Sequence, residues 1–360
     1  MMGQERARNR EAFSMIRAGS QRLSRRSILK GAAATAGLVA TGLGPRIGHT
    51  QAKTTTVNLQ LGWLAGDNQI GEVAAKHLGY FEEEKLAVAI QPGGPSIDGV
   101  AIVASGRFEI GQVSSSPSLM LAASQKIPVK CIAVGAQEHP YGFFSLAAKP
   151  IRTPHDMIGK KIGIQATGKI LLTALLKEQK IPEKDVEIVI IGSDMTPVVT
   201  GQVDAISGWI TNTTPLRALG PDFVTMRLWD FGVKLYALPY YATADTIAKN
   251  SAMLAAFTRA SSRGWAYAYQ NPEKAVELLL KEYPNLVRND ELVAVPTLNK
   301  FVFTAATKAK GWGTFEPAVW QQQIDLYDEL KQFSAGPPKL DDVMTTAILE
   351  ATKDVRPKLG

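Results

Sequence analysis

Residues 57–91 read VNLQLGWLAGDNQIGEVAAKHLGYFEEEKLAVAIQ, and the rest of the chain repeats their pattern. Val57, Leu59 and Leu61 alternate with polar residues, which predicts a strand ending at Gly62. A helix-like run follows and stops at Gly79, since glycine takes the left-handed conformation that closes a helix at no steric cost. Leu86–Gln91 is the next strand-like run. The rhythm continues with a helix at 96–105 closed by Gly106, a strand at 109–113, a helix at 117–125 and an apolar strand at 129–134. This β/α alternation predicts an α/β fold with a largely parallel sheet.

After Pro150 the rhythm restarts. Thr153-Pro154 is a helix start, with Thr as cap and Pro in the first turn. Strands are expected at 161–165, 187–192 and 205–209, helices at 169–179 and 196–202, and an extended segment at 234–243. Beyond Asp245 the pattern is almost purely helical. Two α/β units of about a hundred residues with a helical tail imply two lobes sharing a cleft, and 360 residues suffice for both.

The formal charge of +7 suggests a nucleic-acid or membrane surface only if it lies on the folded part. It does not. Residues 1–52 hold nine basic residues and two acidic ones, and the remainder is balanced. That segment has the layout of a secretion signal: a basic stretch, a weakly apolar run at 31–44, and small residues ending at Ala52. The tract Ser24-Arg25-Arg26-Ser27-Ile28-Leu29-Lys30 resembles the twin-arginine export motif, with Ile28 where Phe is commonest. Cleavage after Ala52 and a periplasmic product are expected. No later run is long and apolar enough to span a membrane.

Enzymatic signatures are thin. One cysteine excludes a disulfide scaffold and a Cys-based zinc site, and Cys131 in an apolar strand reads as a small core residue. His77, His139 and His155 lack the spacing of a metal pair, so no metal or cofactor is expected. Gly163-Ile164-Gln165-Ala166-Thr167-Gly168-Lys169-Ile170 nearly matches a phosphate loop, but Ile170 stands where a hydroxyl must hold magnesium. Asp230-Phe231-Gly232 lacks the other kinase elements and is discarded.

In open α/β sheets, ligands bind where strand C-termini meet helix N-termini, because loop amides and helix dipoles converge there. That rule selects Trp63, Asp67, Asn68 and Gln69 after the first strand, Gly93, Gly94 and Ser96 after the second, and Ser114, Ser115 and Ser116 after the third. Gln137, His139 and Tyr141 precede the crossing into the second unit. Thr167, Gly168, Trp209 and Asn212 belong to that unit, and Asp230 and Tyr236 flank the return. Each has a plainer reading: Ser116-Pro117, Asp67 and Asn68 fit helix caps, Gly93 and Gly94 fit a turn, and the tryptophans fit a core. Rigid aromatics beside polar loops also make stacking platforms.

Four tracts in order carry a resemblance. Leu61-Gly62-Trp63 is followed by Val73-Ala74-Ala75-Lys76-His77-Leu78-Gly79-Tyr80-Phe81, then Gly106-Arg107-Phe108-Glu109-Ile110-Gly111. Asp156-Met157-Ile158-Gly159-Lys160-Lys161-Ile162-Gly163 and Gly201-Gln202-Val203-Asp204-Ala205 complete the set. Together they resemble the ABC-importer solute-binding proteins for thiamine-pyrimidine precursors, sulfonates, taurine and nitrate. Trp209-Ile210-Thr211-Asn212 and Asp230-Phe231-Gly232-Val233 with Tyr236 look most like the pyrimidine-precursor and riboflavin branch. Two departures stand out. The branch's P-N-x-x-H after the first Trp is replaced by Leu64-Ala65-Gly66-Asp67-Asn68. The cysteine-rich motif of the yeast-type pyrimidine-building enzymes of this fold cannot be supplied by one cysteine.

The resemblance implies a type II periplasmic binding protein fold, two α/β lobes around a ligand cleft with a two-strand hinge near 143–149 and 234–243. The expected parts are a signal peptide at 1–52, a first lobe of 53–143 and 244–360, and a second lobe of 144–243. Trp63 and Trp209 would sandwich a flat nitrogen heterocycle, with Asp67, Asn68, Ser115, Gln137, Tyr141, Thr167, Asn212 and Asp230 around it. A membrane permease with its ATPase, and the twin-arginine translocase during export, are the implied partners; nucleic acid is not one. Two rivals remain open. The same fold could bind a small anion, with Arg107 and Arg152 as candidate cations, or the chain could be an enzyme of pyrimidine biosynthesis.

Overall fold

The computed structural model describes residues 54–94, 97–192 and 194–360, so the expected export signal at 1–52 and Ser96 lie outside the described residues. Of Thr167 only the backbone is described.

The described residues form two five-stranded sheets. The first contains β1 (Thr55–Leu61), β2 (Leu86–Gln91), β3 (Ile110–Gln112) and β4 (Val129–Ala136), joined late in the chain by β10 (Ala237–Thr243). The second contains β5 (Tyr141–Ser145), β6 (Lys161–Ile164), β7 (Glu187–Ile190), β8 (Ala205–Trp209) and β9 (Val224–Arg227). Their orders are β2-β1-β3-β10-β4 and β7-β6-β8-β5-β9. Strands β1, β2 and β3 pair in parallel, as do β6, β7 and β8. In each sheet the fourth strand is antiparallel to its neighbours. That strand is exchanged: β5 follows β4 directly yet lies in the second sheet, and β10 follows β9 yet lies in the first.

The crossings therefore run through residues 137–140 and 228–236, not through 143–149 and 234–243. The physical reason is that β5 and β10 are buried along their whole length and take ladder partners on both sides. Read from sequence they are apolar runs beside a presumed hinge, with nothing local to say which sheet they join. Strand β9 went unread for a similar reason, because Val224–Arg227 follows a Pro-Asp turn and only Met226 is fully buried.

The alternation at Val57, Leu59 and Leu61 holds, but Gln60 is buried too, so both faces of β1 are covered. The covering layer is the helical tail. Its longest helix, Ser251–Gln270, packs on Ile70–His77 so closely that each has a glycine, Gly264 and Gly71, where the two meet. A Cβ on Gly264 would stand 2.0 Å from the Gly71 carbonyl oxygen, and one on Gly71 would strike the Trp265 ring. Trp265 in turn stacks on Trp312 at 6.2 Å, both fully buried. The second sheet has thinner cover on one face, a satellite cluster of Phe144, Met195, Val198, Val203, Ile206, Leu216 and Leu219. Among the described residues no helix is long and apolar enough to cross a membrane.

Candidate ligand site at the facing strand ends

The loops after β1, β3 and β4 meet at one edge of the first sheet. Trp63 follows β1 and is half exposed, and its carbonyl accepts the Gly93 N–H at 2.9 Å. Gly93 is required there, since a Cβ would lie 2.2 Å from the Leu61 carbonyl oxygen. The turn Asp67–Gln69 is tied down by Gln69, which accepts from the Gly66 N–H at 3.0 Å and donates to Gln112 Oε1 at 2.8 Å. Burial pushes the Asp67 carboxyl up to about 6. Ser115 pairs by backbone with Ala237, which itself pairs with Ala136, so Ser115 and Gln137 flank the start of β10.

Polar atoms at this edge lack protein partners. Asn68 Oδ1, Gln112 Nε2, Ser115 Oγ, Gln137 Nε2 and both ring nitrogens of His139 are buried without a hydrogen bond. Ser116 differs from Ser115: it donates to Gln323 Oε1 at 2.5 Å and accepts from the Tyr236 N–H at 3.2 Å, so its hydroxyl is used within the lobe. A buried donor or acceptor left unpaired costs about 1–3 kcal/mol, so a cluster of them on one edge calls for a shared partner.

The second sheet's edge is built differently. Tyr141 sits opposite Trp209 in the β5–β8 ladder, and its hydroxyl donates to Ser207 Oγ at 2.8 Å. Burial pushes that phenol up to about 12. Gly168 lies against it, since a Cβ there would stand 2.2 Å from the hydroxyl. Gln165 donates to the carbonyls of Gly192 and Ser207 at 3.3 and 3.2 Å. Trp209 is partly buried and meets His139 edge-on, with centroids 5.0 Å apart.

The two edges are bridged. The helix Arg288–Val302 packs on the Asp67–Gln69 turn and on the helix Thr213–Leu216 of the second lobe. Asp290 at its start accepts a hydrogen bond from Thr214 and pairs with Arg217 at 2.7 Å. Glu291 beside it is pushed up to about 7 by burial, with the Asp67 and Asp290 charges adding to the effect. Arg227 on β9 bonds Glu138 in the crossing segment and lies over the Phe301 ring at 5.1 Å.

The sequence-selected residues thus divide. Asp67, Asn68, Ser115 and Gln137 gather at the first edge, and Tyr141 and Trp209 at the second. Trp63 stands at the first edge with its side chain outward. Asn212 is exposed at the start of its helix and makes no side-chain cap. Asp230 is half exposed and faces Arg227 at 3.6 Å, so it is occupied away from the other candidates. Sequence reasoning missed Gln112, Asp290 and Glu291. Gln112 carries a weak signal, a polar residue ending an apolar strand just before three serines. Asp290 and Glu291 read as ordinary acids at a helix start.

Two lobes of exchanged-strand topology with ligand loops on facing edges define the periplasmic binding protein fold. The aliphatic sulfonate-binding protein SsuA of Escherichia coli shares it, with a TM-score of 0.61 at 17% identity over 80% of this chain and 91% of that one. The chain belongs to the NMT1/THI5-like family, whose profile matches residues 67–275. Two curated relatives point in different directions. The formylaminopyrimidine-binding protein of Halalkalibacterium halodurans is 27% identical over 62% of this chain and 70% of its own length. The 4-amino-5-hydroxymethyl-2-methylpyrimidine phosphate synthase of Legionella pneumophila is 28% identical over 64% and 74%.

Proposed function

We propose that this chain is the periplasmic solute-binding component of an ABC importer and captures a small, flat nitrogen heterocycle between its lobes. The observation that carries the reading is the set of buried, partnerless amide, hydroxyl and imidazole groups at the strand ends, of which the His139 ring meets the partly buried Trp209 at 5.0 Å. Neutral donors and acceptors beside an aromatic face suit a neutral heterocycle. Trp63 supplies a second face when the lobes close by rotation about the crossings at 137–140 and 228–236. Thr167 and Asn212 remain candidate contacts from the second lobe.

The anion reading requires a free cation at the site. Arg107 precedes β3 and Arg152 precedes β6, so both lie at the strand ends opposite the facing edges. Arg217 and Arg227 are nearer, but each already holds a carboxylate. The enzyme reading draws on the synthase relative. Against it, Cys131 is buried in β4 with its thiol pushed up by burial, which makes it a poor nucleophile. Finding genes for a permease and an ATPase beside this one would separate the importer from the enzyme.

Export through the twin-arginine system with cleavage after Ala52 completes the proposal. Mass spectrometry of exported protein that retained Met1 would remove it. For the ligand, a thermal-shift panel of aminopyrimidines against sulfonates and nitrate is decisive, since a ligand at 100 times its Kd adds about 2.7 kcal/mol. Trp63→Ala should abolish the heterocycle shift while leaving the ligand-free melting point within about 1 °C, since the side chain is half exposed. Unchanged affinity in that variant removes the sandwich.

A further inference from the structure

His139 is the least explained polar residue at the facing edges. It lies in the crossing segment between β4 and β5 and is 3% exposed, yet neither ring nitrogen has a protein partner. Its ring packs between Trp209 at 5.0 Å and Tyr141 at 6.1 Å, at 69° to each. Burial holds the imidazole down to about 3, so near neutral pH it carries one N–H donor and one bare acceptor nitrogen. Two residues earlier, Gln137 is equally buried, with its backbone N–H on the Phe301 carbonyl at 2.8 Å and its side-chain amide nitrogen unpartnered. A packing role alone does not account for this, because a phenyl ring would fill the same place without two unsatisfied nitrogens. Nor do charged neighbours recruit it: Glu138 is spent on Arg227, and Asp230 pairs with the same guanidinium.

We propose that His139 is a specificity-determining residue of the ligand site, which with Gln137 reads the hydrogen-bonding edge of a neutral amino-substituted heterocycle carried on Trp209. The inference rests on the heterocycle reading above and deepens it by naming the residues that discriminate. A donor and an acceptor on one imidazole, beside an amide donor, match a ring that offers an exocyclic amine next to ring nitrogens. A site built to bond such an amine rejects the analogue lacking it, because its own groups are then left unpaired.

The test is calorimetric titration of the full mature chain with 4-amino-5-hydroxymethyl-2-methylpyrimidine and with the same ring lacking the 4-amino group. The wild type should prefer the amino compound by at least tenfold. His139→Phe should lose at least tenfold in affinity for the amino compound and little for the other, collapsing the preference; His139→Gln should recover part of it. A structural role would weaken both compounds alike. In parallel, the two imidazole nitrogen NMR signals of His139 should shift when the amino compound is added. Equal losses for both compounds, or wild-type affinity in His139→Phe, overturn the assignment while leaving the heterocycle reading intact. Should His139→Phe not fold, unmoved His139 nitrogen signals in the wild type at saturation overturn it instead. No binding of either compound by the wild type removes the heterocycle reading and this inference with it.

Discussion

The two sheets share a strand order, but their facing edges spend their polar groups in opposite ways. At the second edge the groups satisfy one another: Tyr141 bonds Ser207, Gln165 bonds two carbonyls, and Trp209 is left as a partly buried face. At the first edge Ser115 and Gln137 keep unpartnered atoms, and the carboxyls of Asp67 and Glu291 are held up by burial. The proposed closure would bring a rigid platform against an edge with open hydrogen-bonding capacity. The difference extends to support. The first edge rests on the long helices of the tail, and the second on short helices and a small satellite core. An edge that keeps unpaired buried groups needs the stiffer scaffold, because each such group favours local opening toward water.

Two glycines put this contrast to the test most severely. Gly264→Ala places a methyl against the Gly71 backbone, where no side chain can turn aside. A cost of about 3 kcal/mol or more is expected, read as a fall of roughly 6 °C in melting temperature by calorimetry. Gly168→Ala strikes the Tyr141 hydroxyl and presses on Ile164 at 3.2 Å, and the hydroxyl can tilt away at the expense of its bond to Ser207. It should cost about 1 kcal/mol and fall mainly on ligand affinity. Equal losses of stability would mean that the two lobes are equally stiff.

The buried carboxyls give the next largest effect, through pH. Glu72 is fully buried, accepts hydrogen bonds from Tyr240 and from Trp265 at 3.0 Å, and is nevertheless raised to about 7 by burial. The folded state then binds this proton more tightly than the unfolded chain does. Its contribution is complete below the unfolded value near 4.5 and is lost as the pH rises through 7. Between pH 4.5 and 8 this one group should lower stability by about 3 kcal/mol, read as the difference between the denaturant-melt pH profiles of the wild type and Glu72→Gln, with His139, held neutral by burial, opposing the wild-type slope below pH 6.5. Asp67 and Glu291 act in the same direction. In the second lobe Asp156 has the opposite sign, lowered by the Thr153 and Arg152 backbone N–H groups that bond it at 2.9 Å. A difference between wild type and Glu72→Gln that rises from pH 4.5 to 8 would break the contrast.

A smaller effect is expected where the lobes touch. Asp290 bonds Thr214 and Arg217 across the interface, so Asp290→Ala loosens the second lobe from the helix Arg288–Val302, leaving the Thr213 bond to the residue-290 carbonyl. Ligand affinity should fall about tenfold, or about 1.4 kcal/mol, as the open form gains population. Small-angle scattering of the ligand-free variant should show a larger radius of gyration. If the radius is unchanged, the lobes are held together elsewhere, with Arg227, Glu138 and Phe301 the next contact to remove.

How far the chain could be read without coordinates follows the same division. Short-range signals sufficed where structure is local: the polar alternation of Val57, Leu59 and Leu61, the left-handed stop at Gly79, and the run Leu86–Gln91 all fall where they were expected. The exchanged strands were illegible because their partners lie far away, β10 finding β4 across about a hundred residues. The site divides likewise. Loop position singled out Ser115 and Gln137 and left Ser116 as a helix cap, but the group that takes up the Ser116 hydroxyl, Gln323, lies more than 200 residues on and could not be read locally. Glu291 was invisible because its significance comes from packing beside Asp67, a contact between a turn and a helix at opposite ends of the folded chain.

Asp230 marks the small end of the scale. Sequence position made it a partner for a ligand amine, yet its side chain is half exposed and its nearest cation is Arg227 at 3.6 Å. That guanidinium is already held by Glu138 and by the face of Phe301, so the pair with Asp230 adds only a screened surface contact. Asp230→Asn should leave stability within about 0.5 kcal/mol and ligand affinity within twofold, whereas Glu138→Gln, which loosens Arg227 at the crossing, should cost more of both. A tenfold loss of affinity in Asp230→Asn would restore Asp230 to the site. It would also mean that the crossing segment turns far enough on closure to bring an outward-facing carboxylate to the ligand, and the second lobe could then no longer be treated as the passive face.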